Sequence, residues 1–300
     1  MIKILILGST GMIGSAASGW FTRRVRPLDK RVSGYIRRWF MRGAMQYETY
    51  MTYRDKEACL SLSLCLPASD HGNRKVRFDC LVDDLKRLPH ADYIINCIGV
   101  SKPLADKDPL TAIKVNSVFP WELSNHCESI GTKLIHITTN RVFSDTKGYY
   151  TEDDPHDTPH SYGKAKSIGE PTNCMVLRAD LIGEEVHRKT SLVEYLKAQA
   201  GKEVNGFVNT HWNGITAKEC SKICDQIIIN NLYKVGKFHV MSPDSVSNHE
   251  LITLLGEKFN LGLTVNKAGA ANAVDQTLGT KRDLCKRLII PSIREQIKEL

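Results

Sequence analysis

The 300-residue chain contains no apolar run approaching the about 20 residues needed to span a bilayer, so no membrane span is expected. Its start, Met1-Ile-Lys-Ile-Leu-Ile-Leu-Gly, meets glycine too soon for a signal peptide. Nine cysteines are an odd number without a framework spacing, and no Cys-x-x-Cys pair occurs. That excludes a zinc ribbon, a thioredoxin motif and a disulfide scaffold, and leaves a reduced, cytoplasmic protein with no metal set as the expectation. Acid is scarce in one place only. The formal charge of +8 comes from 41 Lys+Arg against 33 Asp+Glu. Residues 15–45 hold eight basic residues against Asp29 alone, a local excess of +7 that leaves +1 elsewhere. Hydrophobic residues at 42% and charged ones at 25% are ordinary for one large globular domain or two small ones.

What is present is strand–helix alternation. Ile2–Leu7 is apolar at nearly every position, as a parallel strand buried on both faces should be. Similar runs at 48–53, 75–78, 93–97, 133–138, 174–177 and 237–241 alternate with helical stretches at 83–88, 109–129, 161–170, 191–201, 217–230 and 247–259. The pattern predicts an α/β protein, a Rossmann-type doubly wound parallel sheet with a smaller C-terminal domain. We divide it as 1–177 with about 216–242 for the cofactor and 178–215 with 243–300 for the substrate.

Gly8-Ser-Thr10-Gly11-Met12-Ile13-Gly14 follows the first strand directly. Glycines serve where the chain turns tightly, where backbone approaches a pyrophosphate and where helix packs on strand. The helix opening there aims free N–H groups at the phosphates. The competing reading is a tight turn that only packs helix against strand. At the end of the second strand an acid would bind a ribose 2′-hydroxyl, whereas Arg54 accommodates a 2′-phosphate and favours NADP, with NAD as the alternative. Arg54 as an ordinary solvated arginine stays open. Asp79 and Cys80 follow the third strand, where they can flank the adenine. Asn96-Cys97-Ile98-Gly99 ends the fourth, where small residues let the backbone pass a cofactor.

Tyr162 and Lys166 form a Tyr-x-x-x-Lys pair, on one face if helical. An ammonium near a phenol favours phenolate, and the tyrosine then serves as general acid when a carbonyl takes hydride. Tyr233 and Lys237 have the same spacing but straddle Gly236. Tyr162 instead opens a helix after a buried strand that ends in Thr138-Thr139-Asn140, whose hydroxyls can bond the same carbonyl oxygen.

Together these motifs resemble the extended short-chain dehydrogenase/reductase family, within the NAD-dependent epimerase/dehydratase superfamily. The run Ile137-Thr-Thr-Asn-Arg-Val-Phe143, the acidic stretch 150–155 and Ser161-Tyr-Gly-Lys-Ala-Lys166 resemble its dTDP-4-dehydrorhamnose reductase-like branch. The resemblance implies an NADP(H)-dependent oxidoreductase acting on a nucleotide-linked 4-keto-6-deoxy sugar in polysaccharide biosynthesis. It implies Thr139 as the catalytic hydroxyl with Thr138 beside it, Tyr162 as acid/base and Lys166 as its partner on the cofactor. It places Asn116, Arg178, Trp212 and Asn213 at the substrate, with Trp212 stacking on the sugar or simply packing in a core. It also implies a homodimer through 109–129 and 161–170. An epimerase or dehydratase of the same fold and a non-catalytic NADP-binding regulatory subunit are the rivals.

Three departures stand out. The branch carries Asp-Tyr where this chain has Asn140-Arg141, so Arg141 can meet a diphosphate or an acidic group instead. Lys102 follows the fourth strand as a phosphate ligand or a loop cation. The basic segment 15–45 makes the first connection about 20 residues longer than this fold usually needs. It reads as a surface insertion with a basic amphipathic helix, as a site for a partner, an anionic membrane or RNA, or as an ill-ordered oddity of the gene. No RNA motif accompanies the arginines, so nucleic acid is not the expected partner.

Overall fold

The computed structural model describes residues 2–9, 11–23, 47–53, 74–185 and 189–300. Thr10, Arg54 and the greater part of the basic segment, 24–45, lie outside the described residues. Strand β1 (Ile2–Leu7) runs into helix α1 (Met12–Arg23), followed by β2 (Tyr47–Tyr53), β3 (Arg74–Arg77) and β4 (Tyr93–Asn96). Residues 15–23 of the supposed insertion are therefore α1 itself, with Ala17 and Phe21 buried in the core. The stretch at 83–88 is a single 3-10 turn, Leu85–Arg87, because Leu88 precedes Pro89 and is forced extended.

The chain continues through α2 (Lys102–Lys107), α3 (Pro109–Ile113), a wide π turn (Lys114–Val118) and α4 (Phe119–Ser129) into β5 (Lys133–Thr139). Then come α5 (Ser161–Ile168) and β6 (Met175–Ala179). Short β7 (Leu181–Ile182), α6 (Leu192–Ala198), β8 (Glu203–Phe207), β9 (Thr210–Trp212) and β10 (Ile215–Thr216) lead to α7 (Ala217–Ile229) and β11 (Gly236–His239). The tail holds β12 (Val246–Ser247), α8 (Asn248–Lys258), β13 (Thr264–Ala268), β14 (Val274–Asp275), α9 (Leu284–Arg287) and α10 (Ile293–Lys298).

Seven strands form one sheet in the order β3-β2-β1-β4-β5-β6-β11, and every pairing is parallel. The order reverses between β1 and β4. A crevice opens at such a point beyond the carboxyl ends of the strands, and ligands of doubly wound sheets bind there. Alternation along β1 sends Ile4 and Ile6 into one apolar cluster and Leu5 and Leu7 into the other. Helices α1 and α7 cover the first face: Ala17 and Phe21 meet Ile223 and Ile227, and the Trp20 indole donates to Asp225 at 3.0 Å. Helix α4 covers the second through Phe119, Leu123 and Cys127.

A separate apolar core gathers Ile182, Val193, Val204, Trp212, Val246, Leu251, Leu255, Ile293 and Ile297. Small sheets frame it: β8 pairs with β13, and β9 with β12 and β14. Its helices start on side-chain caps, Ser191 for α6, Ser247 for α8 and a Ser292/Glu295 capping box for α10. Among the described residues no helix is long and apolar enough to cross a membrane.

Candidate active site

The glycine loop is built by close backbone approaches. Gly8 sits at φ +75°, and a side chain on Gly14 would strike the Gly8 carbonyl. Gly11 donates its N–H to the Gly8 oxygen at 3.0 Å, while Gly8 N–H is held by the Thr52 hydroxyl at 3.0 Å. Thr52, at the end of β2, is a brace the sequence reading missed. A Cβ on Gly11 would meet only the Gly8 oxygen, at an ordinary 3.6 Å. The loop is thus open over Gly11, and the first N–H groups of α1, at Met12 and Ile13, face no helical acceptor. An open glycine turn with free donors fits a pyrophosphate.

The end of β4 closes the other wall. Asn96 is fully buried. Its amide donates to His136 Nδ1 at 3.0 Å and its oxygen accepts the Ile98 N–H at 3.0 Å. Asn116, inside the π turn, grips Val100 by both backbone groups, at 2.8 and 2.9 Å. These amides shape the 97–101 loop and are spent on it. Asn96 therefore serves a cofactor only through the backbone it arranges. Asn116, expected at the substrate, is corrected to a brace. Asp79 accepts the Leu81 N–H at 3.0 Å in a turn, and Cys80 packs beside the Phe78 cluster.

Tyr162 and Lys166 lie on α5, one turn apart. Thr139, at the end of β5, acts on the Tyr162 hydroxyl and favours its ionised form. Burial, with Asp180 assisting, pushes the phenol up to about 12 against the opposing pull of Arg141 and Thr139. The sequence reading expected Lys166 to favour phenolate, but here desolvation sets the direction, and the opposing pull comes from Arg141 and Thr139. Lys166 is buried, and its Nζ stands beside Gly99 and the Asn116 oxygen. Burial draws it down to about 8, resisted by Glu170 and Cys97. Cys97 itself is held a thiol, its pKa raised by burial first and Cys220 second.

Arg141 is half-exposed beside this pair. Its guanidinium meets Asp145 at 2.7 Å, Gln276 at 3.2 Å and Asp180 at 3.5 Å. Burial works against its charge, yet Asp180 and Asp145 raise its pKa overall. Asn140 donates to the Gln276 carbonyl at 3.2 Å. This polar network of Arg141, Asp145, Asp180 and Gln276 joins the loop after β5 to the C-terminal tail. Three of its members escaped the sequence reading. An acid just past the carboxyl end of strand β6 was the available signal for Asp180.

Several expected substrate residues are engaged elsewhere. Arg178 is 1% exposed and locked to Glu170 by two bonds of 2.8 and 2.6 Å, so it reaches no ligand. Asn213 exchanges both amide bonds with the Leu278 backbone, at 2.8 and 2.9 Å. Trp212 is buried in the separate core against Gly214, so its face is packed rather than offered to a sugar. Thr138 points to the opposite face of β5 from Thr139, buried with its hydroxyl unpaired. Lys102 opens α2 and pairs with Asp106 at 2.9 Å on the surface, the loop-cation outcome.

With the geometry in place, comparison decides the family. Residues 81–261 match the family described as RmlD substrate binding domain. The chain belongs to that family. This agrees with the extended short-chain dehydrogenase/reductase resemblance drawn from the motifs. Among the relatives, methionine adenosyltransferase 2 subunit beta of Mus musculus is 26% identical over 287 residues, 86% of this chain and 72% of that protein. The chain spans about half, 55%, of the Rattus norvegicus counterpart. The dTDP-4-dehydrorhamnose reductase of Mycolicibacterium smegmatis is 34% identical over 84 residues, 27% of this chain and 26% of that one. Among solved structures, dTDP-4-dehydrorhamnose reductase from Bacillus anthracis in complex with NADP superposes with a TM-score of 0.68. It is 16% identical and covers 99% of this chain and 98% of that one. UDP-glucuronic acid 4-epimerase from Bacillus cereus, with NAD and UDP-glucuronic acid, gives 0.73 at 17% identity, covering 99% and 97%. These likenesses show the RmlD-type fold.

Proposed function

We propose that the chain is an NADP(H)-dependent reductase of a nucleotide-linked 4-keto-6-deoxy sugar. The observation that carries this reading is the placement of Tyr162 and a buried Lys166 one helical turn apart on α5, with Thr139 at the end of β5 acting on the Tyr162 hydroxyl, beyond the same carboxyl ends of the strands as the Gly8–Gly14 loop. The loop, Met12, Ile13 and the backbone of Cys97–Gly99 hold the dinucleotide, with NAD as the alternative cofactor. A bound nicotinamide supplies the hydride. Tyr162 gives the proton to the keto oxygen as that oxygen gains charge. Its raised pKa means that it meets the carbonyl protonated at neutral pH. Thr139 steers the oxygen toward that proton. Lys166 bonds the cofactor ribose, and its ammonium stabilises the phenolate left behind. Hydride and proton together convert the ketone to an alcohol. The sugar lies against Arg141 and its acidic partners, between 1–177 with about 216–242 on one side and 178–215 with 243–300 on the other.

A second reading is a subunit that binds NADP without turnover, favoured by the mouse relative that is itself named as an adenosyltransferase subunit. The test is NADPH oxidation over a panel of nucleotide-linked 4-keto-6-deoxy sugars. Stoichiometric oxidation with one of them supports the reductase. Conversion without net NADPH consumption assigns an epimerase, and tight NADPH binding with no conversion assigns the subunit.

A further inference from the structure

Asp180 enters the site by register. Thr139 of β5 pairs with Ala179 of β6, so Asp180 is the next residue past the carboxyl end of the sheet, level with Asn140. Its carbonyl accepts the Ile215 N–H at 2.9 Å, and Gly214 packs on that oxygen with no room for a side chain. The backbone is fixed there while the side chain stays 18% exposed. Its Oδ1 accepts the Leu181 N–H at 3.1 Å. Its Oδ2 is reached only from a distance, by the Asn140 amide at 3.4 Å and Arg141 Nη2 at 3.5 Å. Such lengths lie beyond the usual range for an N–H on an oxygen, so this acceptor keeps capacity for a ligand.

The neighbouring acid is spent. Asp145 Oδ2 accepts from Arg141 Nη1 at 2.7 Å and from the Gln276 amide at 3.1 Å, and its carbonyl accepts the Asp275 N–H at 2.9 Å. Gln276 Oε1 in turn takes Arg141 Nη2 at 3.2 Å. Asp145 is therefore the acidic group that Arg141 meets, and the charges of that pair cancel. Arg141, Asp145 and Asp180 together set one cation against two carboxylates, so the charge left over belongs to Asp180. The cluster adjoins the reacting end of α5. The Arg141 carbonyl abuts Gly163, next to Tyr162, where a Cβ would come within 2.2 Å of it. Asp180 is also the charge that assists burial in keeping the Tyr162 phenol protonated.

We propose that Asp180 is a specificity-determining residue: its Oδ2 accepts a hydroxyl of the sugar, and its uncancelled charge turns away sugars that carry a carboxylate. The substrate class is then an uncharged nucleotide-linked sugar and not a nucleotide-linked uronic acid. The inference rests on the nucleotide-sugar reading above. A hydroxyl has a proton to give to Oδ2, whereas an ionised carboxylate offers only lone pairs and brings a like charge. A role confined to holding Arg141 would set stability and leave the choice between the two kinds of sugar unchanged.

The experiment is titration calorimetry of the NADPH-loaded protein with matched pairs of glucose and glucuronic acid, each linked to UDP and to dTDP. None of these sugars carries a ketone, so binding is read without turnover. With the nucleotide that binds, the unaltered protein should hold the glucose form at least about tenfold more tightly than the glucuronic form. Asp180→Asn keeps the shape and removes the charge, and Asp180→Ser serves where an amide disturbs Arg141. Either folded variant should narrow the ratio to within about threefold, as expected when the like charge is gone. Equal affinity for the two forms in the unaltered protein, or a preference for the glucuronic form, overturns the proposal even where neither variant folds. An unchanged ratio in a folded variant overturns it too. A protein that binds neither form with either nucleotide overturns the nucleotide-sugar reading itself, and this inference with it.

Discussion

Tyr162 concentrates the proposed chemistry in one hydroxyl. It is half-buried near Thr139 and held protonated by burial and Asp180. Removing that hydroxyl should leave the phosphate loop and Lys166 in place. Tyr162→Phe is therefore expected to lower the rate of NADPH oxidation by about 100- to 10,000-fold, the usual worth of a placed general acid. NADPH binding by fluorescence should stay within a few-fold of the unaltered protein. A rate within tenfold of the original would remove Tyr162 from the chemistry. Individual residues were legible in the sequence where the signal was local. Tyr162 and Lys166 needed their spacing and their place at a helix start after a strand ending in Thr138-Thr139, and Gly8 and Gly14 their place after a strand. Arg178 and Asn213 were misplaced because their partners are distant or unmarked. Leu278 reaches Asn213 from 65 residues away. The Arg178–Glu170 bond depends on how α5 docks on β6, which no spacing reports.

At the scale of the element, the π turn Lys114–Val118 is the piece that makes the site. It interrupts an otherwise helical run from Pro109 to Ser129 and turns Asn116 onto Val100. Such wide turns inside helices recur at functional sites because they redirect one side chain. Asn116→Ala would leave two partly buried backbone groups of Val100 without their partner, at a cost of about 1 kcal/mol each. It should weaken NADPH binding more than tenfold by releasing the 97–101 loop, while Thr139 and Tyr162 keep their places. Equal affinity in the two proteins would show that the loop holds itself. The apolar pattern from 109 to 129 predicted one continuous helix, since a single extra residue in a turn leaves the hydrophobic period almost unchanged. Similarly, β8 and β13 were missed because each is only five residues long; β8 alternates but buries just Val204 and Gly206, and β13 buries no residue fully.

The whole molecule carries its charge and its pH response in different places. The +7 of residues 15–45 begins on Arg23 at the end of α1, and the rest lies outside the described residues. The pH response comes instead from three buried imidazoles around α5. Burial, then the Lys166 charge, lowers His136 to about 3, and burial, then Arg178, lowers His156 to about 4; His239 is lowered by the same two causes as His156. Each of these folded values is below the ordinary value of 6.5, so between the two values the unfolded chain binds more protons than the folded one. Stability is then complete above about pH 6.5 and falls as the pH drops toward 4. Thermal unfolding followed from pH 7.5 to 5 should show a steadily falling midpoint, and a flat profile would contradict the buried neutral imidazoles. The doubly wound parallel sheet was legible at this scale because strands apolar on both faces, joined by helices, have few ways to pack. The separate core was not, since Trp212 reads equally as a sugar platform and as a packed indole until β12 and α8 are seen to cover it.

The most direct measurement of the central claim follows the hydride itself. NADPH carrying deuterium at the transferable C4 position is incubated with the protein and a nucleotide-linked 4-keto-6-deoxy sugar, and the product is examined by mass spectrometry and NMR. The account predicts one deuterium at the former keto carbon, formed in step with NADPH loss and absent with Tyr162→Phe. NADPH bound at the glycine loop with no label reaching any sugar of the panel would contradict it.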